Sequence, residues 1–88
     1  MLLSTANTAA PLALSIDVLN AQIAQINNSI TNNAIISGGS LIVGDPISGT
    51  LTQNLQTLTV AESNVVFNSM LTILNSRLTA ANAALTSL

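Results

Sequence analysis

Only four side chains in this 88-residue sequence carry a charge at neutral pH: Arg77, Asp17, Asp45 and Glu62. Arg77 is the one group suited to binding an anion such as phosphate, because a guanidinium presents a planar fork of donors. The three carboxylates are scattered and too few for a Ca²⁺ or Mg²⁺ site. Since the sequence holds no His and no Cys, disulfides and the common zinc sites are excluded as well. We therefore predict that the chain is not an enzyme and binds no cofactor or metal.

The rest of the composition favours association of the chain with other protein chains. Hydrophobic residues make up 49% of the sequence, charged residues 5%, and the formal net charge is −2. An ordinary soluble domain is about 25% charged, so little repulsion would keep copies of this chain apart. A chain this short is also marginally stable unless it is stapled or oligomeric. We predict one domain, residues 1–88, that works as a homo-oligomer of many copies.

A long uncharged segment, residues 18–44, raises the question of a membrane. It is long enough to span a bilayer. Many Asn and Gln residues interrupt it, however, and it has neither basic flanks nor a Trp/Tyr belt. We expect that lipid is not required, and we keep a membrane-associated helical hairpin as an alternative.

Apolar residues follow a helical period in the first third of the sequence. They recur at alternating spacings of four and three, which is the pattern of a heptad seam. Pro11 suits the first turn of such a helix, where its missing N–H is not needed. The pattern predicts helix 1 over residues 11–33, preceded by an N-terminal arm at 1–10. The seam, a predicted assembly surface, consists of Leu12, Ile16, Leu19, Ile23, Ile26 and Ile30.

A second seam occupies the C-terminal part. A capping-box pattern at 50–53 predicts helix 2 over residues 50–88, and another at 59–62 offers a later start, so its continuity through Thr57–Thr59 stays open. Residues 65–74 are apolar around more than half of the helix, which one partner helix cannot cover. This second predicted assembly seam consists of Phe67, Leu71, Leu74, Leu78, Ala81, Leu85 and Leu88.

Two short β-branched runs between the helices flank Gly38 and Gly39. Because glycine accepts positive φ, this pair predicts the tight turn of a β-hairpin. We expect the hairpin and its following turn to occupy residues 34–49. The predicted fold class is therefore mainly α, an antiparallel helical hairpin with a small β-hairpin between the helices.

This architecture resembles the major capsid proteins of rod-shaped and spindle-shaped archaeal viruses, which are small, apolar, charge-poor helix–β-hairpin–helix subunits. The resemblance covers residues 11–88 and is carried by the two seams and the turn at Ser37–Ser40, not by a residue motif. It implies a structural virion protein that self-assembles helically and encloses double-stranded DNA. It also implies that Arg77 is the candidate nucleic-acid contact.

The sequence thus favours a structural subunit of a helical capsid or filament, located in the virion. The first alternative is a trimeric coiled-coil fibre or stalk module of a phage, because Ile at a and d positions favours three or more strands. The second alternative is the membrane-associated hairpin named above.

Overall fold

The computed structural model describes residues 2–88. Two long helices flank a two-stranded antiparallel sheet in the order α1 (Leu3–Thr31), β1 (Gly39–Asp45), β2 (Gly49–Leu55) and α2 (Val60–Thr86). The predicted fold class, a helical hairpin with a small β-hairpin between its helices, is confirmed.

Helix α1 begins eight residues before its predicted start, at Leu3 rather than at residue 11. Residues 3–10 of the predicted arm are therefore helical, and Met1 lies outside the described residues. Pro11 consequently stands inside the helix, where it cannot donate a hydrogen bond to the carbonyl of Asn7. The upstream turns form because this segment is rich in Ala, the best helix former.

The end of α1 is a Schellman motif. Asn33 has φ 54°, and the N–H of Ala34 donates to the carbonyl of Ser29 at 2.9 Å. The N–H of Asn33 donates to the carbonyl of Ile30 at 3.1 Å. These two bonds satisfy carbonyls that the helix itself leaves unpaired, so α1 stops at Thr31, two residues before the predicted end.

Helix α2 starts at the later of the two predicted capping boxes. The backbone N–H of Glu62 donates to Thr59 Oγ1 at 3.1 Å, and the N–H of Thr59 donates to Glu62 Oε1 at 3.0 Å. The prediction of a helix from residue 50 is wrong, because residues 49–55 form β2. Leu51 and Leu55 are four apart, a spacing that also places two residues on one face of a strand.

The predicted turn at Gly38 and Gly39 is also wrong. These glycines have φ 110° and 132° and lie where the chain enters β1, while the loop between the strands is residues 46–48. Asp45 Oδ1 accepts hydrogen bonds from the N–H groups of Ile47 (2.8 Å) and Ser48 (3.1 Å). The turn contains Asp45, Pro46 and, at φ 82°, Gly49, all of residue types that favour turns.

The helices pack antiparallel, with the predicted seams turned toward each other. The N–H of Ile36, just after α1, donates to the buried Ser63 Oγ in the first turns of α2 at 2.9 Å. Every seam residue of α1 is at least partly buried, as is every one of α2 except Leu88. Ile26 is the only buried large apolar side chain among the described residues.

The molecule is flat, with principal extents of 51 × 38 × 14 Å. Two adjacent helices lie about 8–10 Å apart, so the 38 Å extent requires the β-hairpin to reach sideways from the pair. Within residues 2–88, the strands pack against each other and neither strand packs against a helix.

Candidate assembly surfaces

One side of the helix pair carries a long apolar groove. Two open depressions of about 360 and 410 Å³ lie between α1 and α2. Several residues that line one depression stand seven positions from residues that line the other, as Gln22 does from Ser15. A step of seven returns to nearly the same side of a helix. We call the two depressions together the groove. Its outer residues are Leu14, Ser15, Val18, Gln22, Gln25, Met70, Ile73 and Arg77, and its floor includes Leu19, Ile26 and Leu74.

The position of each groove residue follows from the seams. On both helices the residue just before a seam residue faces the groove: Val18 precedes Leu19, and Ile73 precedes Leu74. By the same rule Val66, just before Phe67, extends the groove toward the start of α2. These outer apolar side chains are exposed, so the helices of one chain leave the groove open.

The opposite side of the helix pair is polar and rich in amides. A rotation of about 100° per residue places the residue just after a seam residue on the side away from the groove. That position holds five exposed asparagines on the two helices, together with Asp17 after Ile16 and several exposed Ala and Thr residues. We call this surface the amide face, and its residues are Asn20, Asn27, Asn68, Asn75 and Asn82.

The β-hairpin has one apolar face. Residues directly opposite on paired strands share a face, and the register pairs Val43 with Leu51 and Leu41 with Gln53. Leu55, opposite Gly39, and Asp45, opposite Gly49, belong to this face too. We call it the ribbon face; it consists of Leu41, Val43, Asp45, Leu51, Gln53 and Leu55.

A small set of hydrogen bonds fixes the hairpin to the helices. The N–H of Leu58 donates to the carbonyl of Ile36 at 2.8 Å. The hydroxyl of Thr57 donates to the carbonyl of Ser37 at 2.8 Å. With the Ile36–Ser63 bond, these contacts hold the two chain segments at the base of the hairpin together. A Cβ at Gly38 would meet the carbonyl oxygen of Leu55 at 3.1 Å, so the close approach there requires glycine.

The four charged side chains lie apart. Arg77 is exposed on the groove. Glu62 is held in the α2 cap, Asp17 is on the outer side of α1, and Asp45 is at the hairpin tip. The N–H groups of Ile47 and then Ser48 lower the pKa of Asp45 below its ordinary value of 3.8, so this carboxylate is charged at neutral pH. The described residues contain no cluster of metal-ligating side chains.

The structure brings some predicted site residues together and separates others. The seams of α1 and α2 meet within one chain. Arg77, the predicted nucleic-acid contact, stands one position before the seam residue Leu78, on the groove. Gly38 and Gly39 lie at the base of the hairpin, far along the strands from its tip. The turn predicted to follow the hairpin and lead into helix 2 instead closes the hairpin, between Asp45 and Gly49. The sequence does not predict the groove.

Helix α1 also has the length and apolar character of a membrane span. It has 29 residues, a mean hydropathy of 1.2 over its most apolar window, and 6% of that window buried. A signal segment near the N-terminus or a core helix has similar properties, so this observation alone decides nothing about a membrane.

The surface left open by this fold is large. The chain exposes 6280 Å², whereas a folded monomer of 9.0 kDa exposes about 4,900 Å² on average. The exposed side chains include sixteen large apolar residues. Comparisons with known protein families, with curated proteins and with solved structures give no match.

Proposed function

We propose that this protein is a structural subunit that assembles with many copies of itself into a helical capsid or filament and encloses DNA. The observation that carries the proposal is the exposed surface, about 1,400 Å² greater than the average for a monomer of this mass. A protein–protein interface of standard size removes about 800 Å² from each partner. The excess therefore corresponds to nearly two such contacts per chain.

The apolar composition of the open surfaces supports copies of the same chain as the partners. The groove and the ribbon face expose Leu, Ile, Val and Met side chains, and contiguous exposed apolar patches mark interaction sites. The amide face adds neutral hydrogen-bonding groups that neither repel nor demand a charged partner. With four charged side chains in 88 residues, electrostatic repulsion between copies is small.

Enclosed DNA is supported by the resemblance to archaeal capsid proteins and by the groups available for phosphate. Arg77 offers one cation per copy, which becomes a row of cations in a regular assembly. The amide face offers Asn side chains, which also donate to phosphate oxygens. One chain alone carries too little positive charge to hold DNA.

Sedimentation of the purified chain at micromolar concentration tests the assembly. We expect large particles and, by electron microscopy, tubes or closed shells with co-purifying nuclease-resistant DNA. Ile73→Glu, which puts a charge on the groove, should abolish these particles. Val65→Glu, the same kind of change on the outer side of α2, is the matched control and should retain them.

Three results would redirect the interpretation. A folded monomer at micromolar concentration would refute assembly as the function. Thin rods made of three chains would instead favour the trimeric fibre or stalk module. Equal loss of particles in both Glu variants would show that the groove is not the contact.

A membrane-associated hairpin is the second candidate, because α1 is 29 residues long and apolar enough to span a bilayer. Flotation with neutral phospholipid vesicles tests it. Binding of the wild-type chain to vesicles, together with extraction only by detergent, would favour this candidate over the capsid subunit.

A further inference from the structure

We propose that successive copies join head to tail, with the ribbon face of one copy lying in the groove of the next and Asp45 paired with Arg77 across the contact. This inference rests on the proposed function, since it specifies which surfaces of the subunit meet. It commits to a second copy of the chain as the occupant of the groove.

Charge complementarity selects the two surfaces. Arg77 is the only basic side chain in the sequence, and it stands on the groove. Asp45 is the one acidic residue on the hairpin, where it shares the ribbon face with the exposed Leu41 and Leu51. The other two acidic residues lie on the helices: Asp17 on the outer side of α1 and Glu62 in the capping box of α2. The two turn hydrogen bonds of Asp45 both use Oδ1, which leaves Oδ2 to meet a guanidinium.

The two surfaces also match in length. On the ribbon face, Val43 and Leu41 lie about 7 and 13 Å from Asp45 at about 3.4 Å per residue. In the groove, Ile73 and Met70 lie about 6 and 10 Å from Arg77 at 1.5 Å per residue, and Val66 about 16 Å away. The apolar row of the ribbon face, which ends in Asp45, thus matches in length the apolar row of the groove, which ends in Arg77.

The exposed area fits two contacts per chain. In a head-to-tail arrangement each copy uses its ribbon face in one interface and its groove in another. Two standard interfaces would cover about 1,600 Å² of each chain, close to the excess of about 1,400 Å². Because the two surfaces differ, the contact does not close on itself as a two-fold dimer does, and it can propagate into a filament.

This assignment changes the expected role of Arg77. When it is paired with a neighbour's carboxylate, it is not available for phosphate. The asparagines of the amide face then remain as donors to the phosphate oxygens of enclosed DNA, on the side of the helix pair that also carries Asp17.

Charge reversal on each surface tests the contact. We expect Asp45→Arg alone and Arg77→Asp alone to lose assembly, because like charges then meet. An equimolar mixture of the two variants, without nucleic acid, should assemble again. In the mixture, position 45 of each variant meets the opposite charge at position 77 of the other. Asp17→Arg is the matched control and should assemble at the wild-type concentration.

A milder pair of variants guards against a folding defect at the turn. Asp45→Asn keeps an acceptor for the turn hydrogen bonds and removes only the charge. We expect a two- to five-fold rise in the concentration needed for assembly, the effect of losing one exposed ion pair, and no such rise for Asp17→Asn. Far-UV circular dichroism shows that each variant is folded.

The inference is overturned if both charge-reversed variants assemble like the wild type, or if they are folded and their mixture stays unassembled. In either case the proposed function stands as long as the wild-type chain assembles. A monomeric wild-type chain refutes the proposed function itself, so the two failures are distinguishable.

Discussion

The helix pair and the β-hairpin are both antiparallel two-element units, but they treat their apolar residues differently. The helices turn their seams toward each other, so each covers the other. The strands leave the leucines of the ribbon face exposed, and neither strand packs against a helix within residues 2–88. An isolated two-stranded hairpin is marginally stable in water. The contrast shows that the helix pair covers its seams within one chain, whereas the hairpin leaves its apolar face open for the neighbouring copy proposed above.

The largest expected difference between the two regions comes from shortening an isoleucine in each. Ile26→Ala removes a side chain that is 9% exposed in the helix pair, and we expect it to reduce the free energy of unfolding by about 2–5 kcal/mol. Ile42→Ala removes one that is 78% exposed on the hairpin, and its effect should stay within about 0.5 kcal/mol. Urea unfolding followed by far-UV circular dichroism measures both. Equal losses would contradict the contrast.

Replacing proline should act in opposite directions in the two regions. Pro11 interrupts the hydrogen bonds of α1, so Pro11→Ala should stabilise the helix pair by up to about 3 kcal/mol. Pro46 lies in the hairpin turn, and Pro46→Ala should destabilise it by about 0.4–1 kcal/mol by making the unfolded chain more flexible. Thermal unfolding of the two variants gives the signs; a stabilising Pro46→Ala would refute this account of the turn.

The bond between the two regions is the next target. Ser63 Oγ is buried and accepts from the N–H of Ile36. Ser63→Ala leaves that N–H without its partner, and we expect a cost of about 1–3 kcal/mol and faster hydrogen exchange at Ile36. Ser69→Ala changes an exposed serine of the same helix and should change stability by less than about 0.5 kcal/mol. Unchanged exchange at Ile36 would contradict the assigned bond.

The smallest expected effect is a pH dependence confined to the hairpin. Because the turn N–H groups lower the pKa of Asp45 below 3.8 in the folded chain, its contribution is present above that pH. It is lost as the pH falls below 3.8 and the folded carboxylate takes up its proton. Amide chemical shifts of Ile47 and Ser48 should follow this titration. In Asp45→Asn they should stay independent of pH across roughly 2–5, the range in which an aspartate carboxyl titrates.

The same contrast explains what the sequence could predict. Helical periodicity is local, so the sequence predicts which residues form the seams; it predicts them as assembly surfaces, whereas in the structure they pack against each other within one chain. The cap of α2 at Thr59 and Glu62 is only the alternative start that the sequence offers, beside the predicted start at residue 50. The predicted start of α1 is wrong because Pro11, a residue typical of a first turn, stands inside the helix, and the Ala-rich segment before it is helical too.

The hairpin and the groove were harder to predict. Gly38-Gly39 is a stronger turn signal than Asp45-Pro46, so the turn was assigned to the wrong end of β1. Leu51 and Leu55 fit a helix as well as a strand. The groove depends on how the two helices are rotated against each other, which places Ile73 and Arg77 beside α1 side chains distant in sequence. No pattern within one segment of the sequence predicts how the two helices are rotated relative to each other.

The position of Arg77 has a practical consequence for studying the chain. Trypsin cleaves after Lys and Arg, and this sequence offers it one bond, Arg77–Leu78, which lies inside α2. A helical bond must open locally before a protease can cut it. Digestion into fragments 1–77 and 78–88 therefore reports, at a single site, how often α2 opens and whether a neighbour shields it. Because the protein has no Trp and no Tyr, it gives little near-ultraviolet absorbance or fluorescence, and this cleavage serves as a probe of local structure instead.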